Sequence, residues 1–186
     1  MQKKLLQDAL RIGHEYNVED RMKKVEPPLA LRLQYSLYEG TMIAFLKKQL
    51  GLERANFFPT AGAAVPPVIE DFVRSAGLNM IVGYGLTEST ATVSCDRYNQ
   101  PSTIGSVGRL LKGVEICFGE NDEILLKGKT ITKGYYRKAE VTELSIDKDG
   151  WFHTGDAGYI KDGELFLTDR IKDLFKTSNG KYISPQ

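Results

Sequence analysis

Hydrophobic positions in the N-terminal part of the chain fall into two helical patterns separated by a charged break. Leu5, Leu6, Ala9, Leu10, Gly13 and Tyr16 share one helical face over residues 2–17, and charge interrupts the pattern from Glu19 to Lys24. A second helix follows Pro27-Pro28, carries Leu29, Leu33, Leu37, Ile43, Leu46 and Leu50, and stops at Gly51. Core packing is the expected use of both faces; the alternative is peripheral contact of their Lys-rich ends with a membrane surface. Next come a short strand at Asn56-Phe57-Phe58-Pro59, a small-residue loop over 60–64, and a helix opened by Pro66-Pro67. That helix carries Ile69, Phe72, Val73 and Ala76 on one face and ends at Gly77, before a strand from Asn79 to Gly83. Strand, helix, strand in this compass predicts a βαβ unit with parallel strands, which brings the two following loops to one sheet edge.

From Ile104 the pattern changes to short alternating segments: 114–118, 123–127, 151–154, 158–161 and 164–168. The pair Asp162-Gly163 signals a two-residue hairpin. The fold class is therefore α/β: a βαβ portion of a parallel sheet plus a small antiparallel, barrel-like unit. The expected division is 1–103 for the α/β part with its N-terminal helices, 104–168 for the antiparallel part, and 169–186 for a charged linker or hinge and the start of a further domain. The chain stops at Gln186 in mid-pattern, so a fragment is expected.

Composition narrows the functional classes. Among 186 residues, 25 basic side chains face 24 acidic ones, with no long Lys/Arg run, which argues against nucleic acid as a partner. Cys95 and Cys117 lie in no metal-ligand spacing, and a reducing cytoplasm fits them. No apolar run reaches spanning length, and the N-terminus lacks a signal-peptide pattern.

Three candidate motifs fail. Gly128-Lys129-Thr130 ends like a phosphate loop, but Glu123 stands where the first glycine belongs. Ser145, Asp147, Asp149, Gly150 and Asp156 echo a calcium loop but begin on Ser and run into a strand, so an Asp-Lys-Asp-Gly turn is expected. His14 and His153 have no partnered nucleophile motif, and His14 reads as a solvated helix residue. The segment Gly83-Tyr84-Gly85-Leu86-Thr87-Glu88 is different. Its glycines permit close backbone approach, Tyr84 offers a π face, Thr87 a hydrogen-bond donor, and Glu88 a ligand for a divalent cation. Those are the needs of a bound nucleotide.

That segment, then Thr154-Gly155-Asp156, then Asp169-Arg170-Ile171-Lys172-Asp173 occur in this order, and as an ordered set they resemble the adenylate-forming superfamily. The superfamily comprises acyl- and aryl-CoA synthetases, peptide-synthetase adenylation domains and luciferases, and has the acetyl-CoA-synthetase-like multidomain fold. Residues 131–136 (Ile-Thr-Lys-Gly-Tyr-Tyr) match a further family segment. Residues 57–63 and 173–183 look most like long-chain fatty-acid–CoA ligases. The resemblance covers roughly residues 55–186 well and 1–54 more loosely.

The resemblance implies these roles. Tyr84 stacks on adenine beside Gly62 and Ala63, Gly83 lies near the acyl carboxylate, Gly85 is a further nucleotide-binding residue, Thr87 contacts phosphate and Glu88 holds Mg²⁺. Asp156 accepts the ribose hydroxyls, Arg170 adds donors to the same sugar, Lys172 is the hinge residue, and Lys176 faces the site in one of two conformations. Ala61, Ala64 and Val82 depart from residues common in relatives. The implied activity is ATP-dependent, AMP-forming ligation of a fatty carboxylate to CoA, with ATP/AMP, Mg²⁺ and CoA as the bound species. The family's phosphate loop is expected upstream of residue 1 and its catalytic lysine downstream of Gln186, so the 186-residue chain alone is expected to be inactive. Alternatives are an aryl-CoA ligase, a peptide-synthetase adenylation domain, or a non-catalytic nucleotide-binding module.

Overall fold

A computed structural model describes residues 2–98, 100–171, 175–176 and 182–183. The chain divides into two compact units, Met1–Val82 with Asp96–Gly105, and Gly83–Cys95 with Ser106–Gln186.

In the first unit, α1 (Gln2–Gly13) runs directly into a π-helical stretch, His14–Arg21. After Pro28, α2 (Leu29–Tyr38), a π-helical stretch (Glu39–Ile43) and α3 (Ala44–Gln49) form one continuous helix. Gly51 follows it at φ +68°, a left-handed conformation that suits glycine at a helix end. The core here is Ala9, Ile12, Tyr35 and Ile43, with Tyr16, Leu31, Tyr38 and Met42 packed against it. The rings of Tyr16 and Tyr35 stack at 4.1 Å.

That choice of face corrects part of the sequence expectation: Leu29, Leu33 and Leu37 are 65–69% exposed, whereas Ile43 is buried as expected. The helix carries two apolar stripes, and the one bearing the tyrosines, whose rings bury more area, is the one packed. His14, expected to be a solvated helix residue, is part-exposed but also partnered. Its Nδ1 lies 2.6 Å from Asp71 Oδ1 and its Nε2 3.3 Å from Glu19 Oε1.

β1 (Phe58–Thr60), α4 (Pro67–Ser75) and β2 (Met80–Tyr84) form the expected βαβ unit. The pairing is parallel, with Phe58 opposite Met80 and Thr60 opposite Val82. On α4, however, Ile69 is exposed and Glu70 is 1% exposed. A charge cluster explains the burial. Arg74 Nε donates to Glu70 Oε1 at 2.7 Å, and its Nη2 donates to Asp96 Oδ2 at 2.6 Å. Glu70 Oε2 accepts the Gly105 N–H, and Asp96 Oδ2 accepts the Val82 N–H. Burial pushes the Asp96 carboxyl above its ordinary value, against the opposing pull of Arg74. The cluster ties α4 to β2 and to the 96–105 segment.

In the second unit, Gly83 and Tyr84 at the end of β2 pair antiparallel with β3 (Ser94–Cys95), which pairs with β4 (Arg109–Leu110). The curled antiparallel sheet follows: β5 (Val114–Phe118) and β6 (Glu123–Gly128), then α5 (Ala139–Ser145), then β7 (Phe152–Lys161) and β8 (Glu164–Arg170), in spatial order β5-β6-β7-β8. Ile124, Leu126 and Leu165 are fully buried in it, each contributing about 1.5–3 kcal/mol. Asp162-Gly163 forms the expected hairpin, with Lys161 opposite Glu164.

Two expectations are corrected here. The segments 151–154 and 158–161 are one strand, because a register shift between Asp156 and Gly158 carries β7 through the Thr-Gly-Asp motif. Asp169 and Arg170, read as linker, end β8. A short antiparallel pair, β9 (Phe175–Lys176) and β10 (Tyr182–Ile183), follows. Lys172 lies outside the described residues.

Candidate functional site

The turn after β2 is built around Gly85, where an added Cβ would overlap the Ala91 carbonyl. Only glycine lets the chain fold back this closely. A 3₁₀ turn spans Thr87–Ser89, and the buried Ser89 Oγ accepts the Leu86 N–H at 2.9 Å. The result leaves Thr87 exposed and Glu88 half-buried.

Two sequence-predicted residues that are 72 positions apart meet in this unit. Tyr84 Oη donates to Asp156 Oδ2 at 2.8 Å. Arg170 Nε donates to Asp156 Oδ1 at 3.1 Å, across the β7–β8 ladder in which the two residues are partners. Burial first, and then the Asp156 carboxylate, push the Tyr84 phenol far above its ordinary value, so its hydroxyl stays a donor. Each carboxylate oxygen keeps a second acceptor site, so Asp156 retains capacity for ligand hydroxyls. Tyr84 is 7% exposed, and an adenine would meet it only along that remaining surface.

Sequence reasoning missed what holds Asp156 in place. Glu123 Oε1 accepts the Gly155 N–H at 3.0 Å, and Glu123 Oε2 lies 2.9 Å from His153 Nδ1. Thr154 Oγ1 donates to the Ile124 carbonyl at 2.8 Å and accepts the Asp156 N–H at 3.1 Å. His153 thus braces the motif. Glu88 is also held: Tyr135 Oη donates to its Oε1 at 2.8 Å. Apart from the local Thr154–Asp156 turn, only spatial adjacency reveals these pairs.

Gly83 and Gly85 belong to this unit, beside Tyr84. Gly62 and Ala63 are exposed in the loop after β1 and belong to the first unit, as does a polar cavity of about 540 Å³ lined by Asn17, Arg21, Arg74, Asp96 and Arg97. That cavity contains none of the sequence-predicted site residues.

Two of the three rejected motifs behave as turns or strand ends. Asp147 Oδ1 accepts the N–H groups of Asp149 and Trp151 at 2.9 Å each, which holds its carboxyl below the ordinary range, and Gly128 ends β6. Among the described residues no group of three or more His, Cys, Asp or Glu side chains could hold a metal by itself. A single half-buried carboxylate would suit Mg²⁺, which is held through one or two protein carboxylates. Glu88 is the residue that would hold it.

A mixed βαβ sheet and a curled antiparallel sheet are the architecture of acetyl-CoA-synthetase-like, adenylate-forming proteins. Two of the solved structures the chain resembles are ATP-bound. The MatB protein of Rhodopseudomonas palustris superposes with a TM-score of 0.63 at 28% identity, over 75% of this chain and 29% of that one. An ATP-bound RpMatB-BxBclM chimera gives 0.64 at 26% identity, over 80% of this chain and 32% of that one. The family model for AMP-binding enzymes matches residues 20–136, and the chain belongs to that family.

Its relatives include a peroxisomal acyl-CoA ligase 891 of Penicillium roqueforti, 34% identical over 89% of this chain and 25% of that protein. The long-chain-fatty-acid–CoA ligase FadD15 of Mycobacterium bovis is 32% identical over 86% of this chain and 26% of that protein. The 4-coumarate–CoA ligase 1 of Glycine max is 32% identical over 92% of this chain and 61% of that protein. The chain thus spans about a quarter of the length of the first two.

Proposed function

We propose that this chain is part of an AMP-forming acid–thiol ligase that activates a fatty carboxylate. The observation that carries the reading is the Tyr84–Asp156–Arg170 cluster, which joins three separate sequence motifs in one hydrogen-bonded group. In the proposed reaction a carboxylate oxygen attacks the α-phosphorus of ATP, pyrophosphate leaves, and an acyl-adenylate forms. The CoA sulfur then attacks the acyl carbonyl, giving the thioester and releasing AMP. Mg²⁺ would offset phosphate charge in the first step. The chain's own contribution is to bind and orient: Tyr84 at adenine, Asp156 and Arg170 at the ribose, Thr87 at phosphate, Glu88 toward the cation. Lys172 is the proposed pivot between the two half-reactions.

Similarity to a long-chain-fatty-acid–CoA ligase supports a fatty substrate. An aryl carboxylate is the second reading, favoured by the 4-coumarate–CoA ligase relative, which this chain matches over the larger share of its length. ATP–pyrophosphate exchange by the protein from the full reading frame, across fatty, aryl and amino acids, tests both. Exchange with long-chain fatty acids is expected. Exchange confined to aryl or amino acids would overturn the substrate assignment, and none with any acid would favour a non-catalytic nucleotide-binding module.

A further inference from the structure

We propose that Tyr135 is a positioning residue for the Glu88 carboxylate, turning one of its oxygens toward the nucleotide's divalent cation; this rests on the ligase reading above. Tyr135 Oη donates to Glu88 Oε1 at 2.8 Å, which leaves Oε2 as the oxygen for a cation that takes carboxylates one oxygen at a time. The backbone is tied at the same place. The Thr132 N–H donates to the Glu88 carbonyl at 2.7 Å, and Thr90 Oγ1 donates to the Thr130 carbonyl at 2.7 Å.

Tyr135 is itself oriented by α5. Its N–H donates to Thr142 Oγ1 at 2.9 Å, and Thr142 Oγ1 donates to the Lys138 carbonyl at 2.9 Å. Gly134 has φ +141°, and a Cβ there would press into the Thr142 side chain. Thr132 Oγ1 closes the turn by accepting the Gly134 N–H at 3.2 Å and donating to the Gly134 carbonyl at 3.0 Å. The chemistry of the donor suits the task. A phenol fixes a carboxylate without neutralising it, whereas a lysine would cancel the charge the cation needs.

The test is calorimetric ATP binding by the protein from the full reading frame, with Mg²⁺ and with chelator, for wild type, Tyr135→Phe, Glu88→Gln and the double variant. Tyr135→Phe is expected to reduce the Mg²⁺-dependent gain in ATP affinity about ten-fold or more, the usual range for an outer partner of a metal ligand. Metal-free ATP affinity should be unchanged, and Tyr135→Phe should add nothing once Glu88→Gln is present. Thr142→Val, which leaves the phenol in place but removes its orienting bond, should reduce the gain in the same direction. A gain that Tyr135→Phe leaves intact, a loss equal with and without Mg²⁺, or a full loss persisting in the Glu88→Gln background would overturn the positioning role alone. Wild-type protein that binds no ATP would overturn the ligase reading and this role with it.

Discussion

Tyr84 makes a contact that the Gly-Tyr-Gly pattern does not suggest. Its ring was legible in the sequence as a candidate adenine platform; its hydroxyl contact was not, because Asp156 lies on a distant strand. The contact changes what substitution should do. Tyr84→Phe removes the donor to a carboxylate that is 8% exposed, and a hydrogen bond to a charged group is worth about 1.5–3 kcal/mol. Urea unfolding of the chain should show a loss of that order, and an unchanged midpoint would mean that the bond contributes nothing. Glu123 makes a parallel case. Glu123→Ala should leave the Gly155 N–H without its acceptor and cost about 1–3 kcal/mol by the same measurement, with a loss near zero as the contrary result.

Regular elements were legible where periodicity was clean: the βαβ unit, the helix from Leu29 to Gln49, and the Asp162-Gly163 hairpin. They were missed where another constraint overrode it. The strand β7 passes through a motif that reads locally as a turn, because the bulge at Asp156 absorbs it. The short helix α5 has no long apolar repeat and is recognisable only by what Thr142 does. On α4, an apolar-face reading could not anticipate Glu70, since its burial depends on Arg74 one turn away and on Asp96 in another segment.

That cluster supports a prediction about the element itself. Arg74→Leu leaves two buried carboxylates without their cation and should destabilise the chain by about 3–5 kcal/mol. The loss should depend on pH. Because the Asp96 carboxyl sits above its ordinary value, the native state holds that proton more tightly than the unfolded chain does. Its favourable contribution is present below the ordinary aspartate value and lost as pH rises through the raised one. Removing Arg74 takes away the opposing attraction and extends that window upward, so unfolding experiments should find a larger loss at pH 7 than at pH 5. Equal losses would contradict the assignment.

At the scale of the whole molecule, the order of motifs along the chain carried the family, while the arrangement of side chains around Asp156 and Glu88 had to come from the structure. The proposed hinge is testable without geometry. Lys172→Pro, which fixes φ and removes an amide donor, should depress either adenylate formation or acyl transfer from preformed adenylate far more than the other. Equal loss in both would remove the hinge.

The central claim is that Tyr84 and Asp156 form part of a nucleotide site, and calorimetric titration of ATP into the protein from the full reading frame tests it most directly. With folding verified by circular dichroism, Tyr84→Ala should weaken binding by about 1–3 kcal/mol, the range for loss of a base-stacking aromatic. Asp156→Ala should weaken it by a comparable amount, about 1.5–3 kcal/mol, through loss of a charged acceptor. Wild-type ATP affinity in both folded variants would contradict the account.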